Sequence, residues 1–323
     1  MISLKHIARE MGVSTATVSN ALSGKGRVSS ALAERIRTYA ISAGYRPSSA
    51  ARALKTGQSG ILGLVMPDLT NPLFPSFARH VSVAAESHGL GILIGDSRGD
   101  AARQGAAISH LVGRGVDGII IVPQKGTSPV IPRVPGVVIN TRSDPRSTVS
   151  ADHGGGGRLL GAHIAGLGHR QVVLLGGDAI SEVQRDRVRG MAGGLGDGVS
   201  HEILWGEAGM AALPDHVRRG ATAVLATSDL LALGAHSHLS RAGYRVPEDV
   251  SLTGFDDLPF ATVMHPALTT TAQNVEAIAE YALGAITRMI AGEDDLPGGH
   301  AIPMRLVVRA SSAAPPDVCR DAS

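Results

Sequence analysis

From residue 58 onward, apolar residues alternate between short continuous runs and stretches at helical spacing. Ile61–Met66, Gly91–Gly95, Gly118–Val122 and Val137–Asn140 read as buried parallel strands, with Leu73–His88 and Ala101–Arg114 as their helices. A second series places strands at Val172–Leu175, Ala223–Ala226 and Val250–Thr253, and helices at His153–Leu167, Glu182–Gly193 and Ser228–Ala242. Strands without polar alternation imply sheets covered on both faces. The pattern predicts an α/β body of two lobes with parallel, doubly wound sheets. Such lobes hold ligands at the carboxyl ends of their strands.

Residues 1–57 follow a different rhythm. Ile2, Leu4, Ile7, Ala8 and Met11 fall at helical spacing after a capping Ser3, and Gly12 stops the helix. Ser14 caps a second helix, Thr15–Leu22, with Val18 and Leu22 on one face. Ser23–Gly26 ends it, and a third helix runs from Ser29 or Ser30 to Gly44. Sharply crossed helices need a small residue at the contact, a turn that glycine accommodates and a buried aliphatic anchor. Ala8, Gly12 and Val18 supply the three. The pattern is a small all-α helix–turn–helix head whose second helix presents Thr15, Ala16, Thr17, Ser19 and Asn20 to a DNA major groove. Their hydroxyls and amide suit base edges and phosphates, and the Ala and Thr methyls suit thymine. A three-helix protein-interaction module would show the same spacing.

Charge separates those readings. Residues 1–57 carry nine Lys/Arg against two acids, +7, while the remainder carries −5, so the whole-chain value of +2 conceals a basic head on an acidic body. That is the footprint of a tethered nucleic-acid reader. After the head, Pro47 or Ser48 opens a helix that Gly57 stops, too short to be stable alone in water. At 323 residues, 43% hydrophobic and 18% charged, the chain predicts two or three folded domains. The sole cysteine, Cys319, can form no internal disulfide and fits a reducing cytoplasm. No apolar run reaches the roughly 18 residues of a membrane span, and the N-terminus lacks a signal pattern. The expectation is a cytoplasmic protein without membrane contact.

The strings Ile7-Ala8, Gly12-Val13-Ser14, Thr17-Val18-Ser19-Asn20-Ala21-Leu22 and Gly44-Tyr45-Arg46-Pro47 resemble the head of LacI/GalR-family bacterial transcription regulators. The resemblance continues collinearly through Gly63–Asp68, Asn71–Phe74, Gly115–Ile120, Gly168-His169-Arg170, Arg187–Gly190, Ser228–Gly234, Arg245–Ser251, Gly254–Asp257 and Leu268-Thr269-Thr270. It implies a DNA-binding head at 1–46, a hinge at 47–57 and a periplasmic-binding-protein-like effector and dimerisation domain at 58–323. Within that domain the N-lobe would take about 58–145 and 273–299, the C-lobe about 146–272 and 300–312, and a tail 313–323. The implied protein is a homodimeric repressor on a pseudo-palindromic double-stranded operator. Thr15 and Ala16 would read bases with Asn20 nearby, Thr17 and Ser19 would hold phosphates, and Leu54, beside Lys55, would wedge into the minor groove. A sugar, sugar-phosphate or nucleoside-like effector would close the lobes and shift head spacing.

Polar residues at strand ends form the candidate pocket: Asn140, Asp152, Arg187, Ser228 and Asp256. Family position puts Arg187 and Asp256 in effector contact and makes Leu73 and Phe74 an apolar wall. The competing reading has Asp152 and Asp256 capping loops and Arg187 paired with Asp186 or Glu182. His153-Gly154-Gly155-Gly156-Gly157 lacks the ending of a phosphate loop and reads as a flexible turn opening a helix. The histidines show no metal spacing, and no nucleophile elbow appears, so no metal, cofactor or catalytic residue is expected. Two segments depart from the family. Gln124–Pro135 is a short Pro-rich loop where the family places a helix, and Gly190–Ala221, with Trp205, reads as abbreviated. These leave open a protein-controlled regulator with a vestigial cleft. A solute-binding protein of the same fold is the remaining alternative.

Overall fold

The computed structural model describes residues 2–24, 26–45, 57–131, 133–293 and 298–316. The chain divides into two units, Met1–Ser59 and Gly60–Ser323. The first holds α1 (Leu4–Met11), α2 (Thr15–Ser23) and α3 (Ser30–Ser42). Ser3, Ser14 and Ser29 cap them as side-chain acceptors, and Gly12 ends α1 at φ 66°, a left-handed backbone that glycine adopts without strain. Ile7, Ala8, Val18, Ala21, Ala33, Ile36 and Ala40 form its small core.

The second unit holds two four-stranded parallel sheets of identical topology. In the first lobe, β1 (Ile61–Met66), β2 (Gly91–Asp96), β3 (Gly118–Ile121) and β4 (Gly136–Val138) run in the order β2-β1-β3-β4. In the second, β6 (Gln171–Gly176), β7 (Ser200–Trp205), β8 (Ala223–Ala226) and β9 (Ser251–Thr253) run β7-β6-β8-β9. Short β5 (Val149–Ala151) pairs with β11 (His300–Ile302), and β10 (Thr270–Ala272) with β12 (Arg305–Val307). Helices α4 (Leu73–Ser87) and α10 (Val275–Ile290) cover one face of the first sheet and α5 (Ala101–Gly113) the other. On the second sheet, α6 (His153–Gly166) and α7 (Glu182–Leu195) lie opposite α8 (Gly206–Arg218) and α9 (Asp229–Arg241). Apart from Ile61 and Gln171 at the starts of β1 and β6, the inner strands are buried, as their apolar runs require.

One expectation needs correction. The glycines after His153 do not form a turn: they are the first turns of α6, which packs backbone to backbone on α7. A methyl on Gly157 would strike the Arg187 carbonyl, and one on Gly161 the Met191 carbonyl. Gly190 and Gly194 meet Gly154 and Arg158 from the other side. Tertiary packing here overrides the poor helix propensity of glycine. The Gly190–Ala221 segment contains the end of α7, all of β7 and all of α8. By contrast, Gln124–Pro135 carries no helix or strand among its described residues.

Candidate functional site

In the head, α2 buries Val18 and Ala21 and leaves Thr15 and Ala16 exposed, with Thr17, Ser19 and Asn20 half-buried. Ser14 Oγ accepts the Thr17 amide hydrogen at 3.0 Å and fixes the start of the helix. The Asn20 carboxamide occupies the space a side chain at Gly26 would need, and Gly26 also holds φ at 88°. Asn20 therefore also shapes the turn between α2 and α3. Lys5, Arg27 and Arg35 are exposed and lack an acidic partner among the described residues. Leu54 and Lys55 lie outside the described residues.

In the second unit, a cavity of about 620 Å³ opens at the carboxyl ends of β1, β3, β6 and β8. In each sheet this is where the strand order reverses, which leaves a crevice between the outgoing loops. Leu73 and Phe74, at the start of α4, line one side with Val122 and Ile278. Arg187 and Asp256 form the floor, their side chains 6% and 4% exposed and 2.9 Å apart through Arg187 Nη2 and Asp256 Oδ1. Arg187 Nη1 donates to the Thr227 carbonyl at 2.7 Å and Nε to His153 Nδ1 at 3.3 Å, while its carbon lies 4.0 Å from the Phe255 ring centroid. Of five guanidinium hydrogens, three are engaged and two remain. Gln273 Nε2 also donates to Asp256 Oδ1, at 2.6 Å, and Oδ2 has no partner among the described residues. Asp256 holds φ at 111°, an uncommon conformation, and its backbone N–H donates a hydrogen bond to the Thr271 carbonyl at 2.8 Å.

His153, the first residue of α6, stands on the wall and was not among the candidate pocket residues. Burial, reinforced by the adjacent Arg187 charge, holds its imidazole well below the ordinary histidine value, so the ring is neutral. Nδ1 accepts from Arg187 Nε, which requires the neutral ring to carry its proton on Nε2. Burial also pushes the Asp256 carboxyl above the usual range, against the opposing pull of Arg187 and Gln273. Behind it, Asp229 is raised to about 7 by burial and then by the neighbouring Asp256 charge.

The remaining candidates divide. Asn140 lines the cavity and donates to Asp144 at 2.9 Å; Ser228 lines it while capping α9 through the Leu231 amide at 3.2 Å. Asp152 caps α6 by accepting the Gly155 amide hydrogen at 2.9 Å and is not on the cavity wall. Arg187 pairs with Asp256 rather than with Asp186 or Glu182. Trp205 is absent from the wall as well, because its ring covers Gly176 on β6. Among the described residues, no group of three His, Cys, Asp or Glu side chains could hold a metal ion.

The chain matches the family model for bacterial regulatory proteins of the lacI family over residues 3–48 and that for a periplasmic binding protein-like domain over 162–312. The transcriptional regulator MalR of Streptomyces coelicolor is 31% identical over 339 residues, covering 97% of each chain. A Lac repressor dimer solved with operator and the anti-inducer ONPF superimposes with a TM-score of 0.84 at 23% identity, over 97% of this chain and 99% of that one. The regulator CelR, solved with cellobiose, gives 0.72 at 25% identity over 97% and 100%. No helix among the described residues is long and apolar enough to cross a membrane. An acidic two-lobed body with a cleft, a basic three-helix head and these relatives lead to one assignment: the chain belongs to the LacI family of bacterial regulatory proteins and is a DNA-binding regulator of transcription, not an enzyme.

Proposed function

We propose that the chain is a homodimeric repressor whose α2 helices read two half-sites of an operator, and that an uncharged, polyhydroxylated small molecule in the cleft controls that binding. The observation that carries the effector reading is the Arg187–Asp256 pair on the cavity floor. It offers two unspent guanidinium hydrogens beside one unspent carboxylate oxygen, which is the pattern vicinal hydroxyls satisfy by donating and accepting together. A repressor that binds such a molecule is in keeping with the sugar seen in CelR.

Charge compensation argues for a neutral ligand over a phosphorylated one. Every cation on the wall already has a carboxylate: Lys125 with Asp178, Arg146 with Asp144, Arg185 with Glu182, and Arg187 with Asp256. Helix α7, which begins at the cavity, carries Glu182 in its first turn, where an anion would otherwise sit. A cavity of this size with a structured polar floor also favours a small molecule over control by a protein partner alone.

The test is a thermal-shift series with neutral mono- and disaccharides, nucleosides and their phosphates. A stabilising neutral ligand is expected, its shift lost in Asp256→Asn. An Asp256→Asn chain that keeps the same shift would remove Asp256 from the site. Stabilisation by phosphates alone would overturn the neutral-ligand reading.

A further inference from the structure

We propose that Lys125 and Asp178, with Ile180 seated on Gly126, form an interlobe latch that favours a closed cleft before any ligand arrives and must open for ligand exchange. Lys125 and Gly126 lie on the loop after β3 of the first lobe; Asp178 and Ile180 lie on the loop after β6 of the second. Lys125 Nζ stands 2.7 Å from Asp178 Oδ2, and Ile180 Cγ2 occupies the space a side chain at Gly126 would need. Lys125, Gly126 and Ile180 are exposed members of the cavity's lining, so the contact crosses its rim.

Both jaws are held from within their own lobe. On the first, Gln104 of α5 accepts the Gln124 amide hydrogen, Thr127 Oγ1 donates to the Gln124 carbonyl at 2.6 Å, and Gln124 Nε2 donates to the Gly99 carbonyl at 2.9 Å. On the second, Gln184 Oε1 accepts the Gly177 and Asp178 amides at 2.6 and 3.2 Å, and Arg185 Nη1 donates to the Ala179 and Ile180 carbonyls at 2.7 and 3.0 Å. Gln184 and Arg185 are on α7, the helix that carries Arg187. Jaw and cavity floor therefore sit on one rigid element, and opening the latch moves the two together.

The contact has the strength of a latch rather than of a weld. Lys125 and Asp178 side chains are 52% and 27% exposed, and Ile180 is 62% exposed, so water and salt compete with each contact. An exposed pair of this kind shifts a two-state population about two- to five-fold. Glycine at 126 is needed twice over, for its φ of 68° and for the space that Ile180 fills.

The experiment requires no ligand, so its outcome is independent of the proposed effector. Spin labels at Arg103→Cys on α5 and Glu207→Cys on α8, in a Cys319→Ser background diluted with unlabelled chain, report the distance between lobes. In 50 mM NaCl the unsubstituted latch should give one dominant short distance. Lys125→Gln and Asp178→Asn should each move about two- to five-fold more population to longer distances, and so should 0.5 M NaCl. The reversed pair, Lys125→Asp with Asp178→Lys, should restore the short distance. Single variants indistinguishable from the parent, or a reversed pair as open as the singles, would overturn the latch. Trp205 fluorescence on melting checks that each variant is folded.

Discussion

Asp229 shows how a single carboxyl can set the pH response of a lobe. It is wholly buried, accepts the Leu258 amide at 2.7 Å and the Thr270 hydroxyl at 2.7 Å, and faces Asp256. In the folded chain it keeps its proton to about pH 7, whereas an unfolded aspartate releases it near 3.8. Between those values the folded state holds the extra proton. Stability is therefore fully present below the unfolded value and declines as pH rises through the folded one. The difference corresponds to roughly 4 kcal/mol at most. Asp229→Asn should flatten this decline, read from denaturant unfolding at pH 4.5 and 7.5. Trp205, the only tryptophan, sits on the second lobe and reports its unfolding. A variant with the parent's slope would assign the pH response elsewhere.

At the scale of elements, the α6–α7 contact decides where Arg187 stands. Gly154, Gly157 and Gly161 of one helix meet Gly190 and Gly194 of the other without intervening side chains. Gly157→Ala should force α7 outward, cost roughly 1–3 kcal/mol and weaken ligand binding through Arg187. Gly193 lies on α7 with nothing within 4 Å of where a methyl would go. Gly193→Ala should instead stabilise by up to about 1 kcal/mol, because alanine is the better helix former. Thermal unfolding of the two variants tests the contrast. Equal effects would mean that the close approach is not what these glycines supply.

For the whole molecule, the proposed function needs head and body to bias one another, typically by 1–3 kcal/mol in such systems. The head can be tested separately from that coupling. Ala16 is exposed in the first turn of α2, where an acidic side chain favours the helix but repels phosphate. Ala16→Glu should keep the fold and any cleft ligand shift while lowering affinity for an operator selected from random DNA at least tenfold, measured by anisotropy at fixed salt. Undiminished binding would take the N-terminal half of α2 out of the groove.

Much of the architecture was legible because its signals are local. Helix caps at Ser3 and Ser14, the Gly12 stop and the unbroken runs at Ile61–Met66 and Ala223–Ala226 are set by neighbours in sequence, and they appear where expected. Strand β7 and helix α8 escaped because an edge strand exposes Ser200, His201 and Glu202, and because α8 starts at Gly206 and contains Pro214. Those residues ordinarily signal an interruption. In the site, strand ends pointed to Asn140, Ser228, Arg187 and Asp256, while Asp152 proved to be a cap and His153 the wall residue. Adjacent residues at a helix start face different ways, and sequence order does not say which faces the cleft. The sequence by itself determined the head helices, the inner strands of both sheets, the basic head and the family. Only the tertiary structure decided that five glycines form a helix contact, that Arg187 answers to Asp256, and that the jaws meet at Lys125 and Asp178. Each depends on groups brought together from distant segments, and spacing along the chain carries no distance between them.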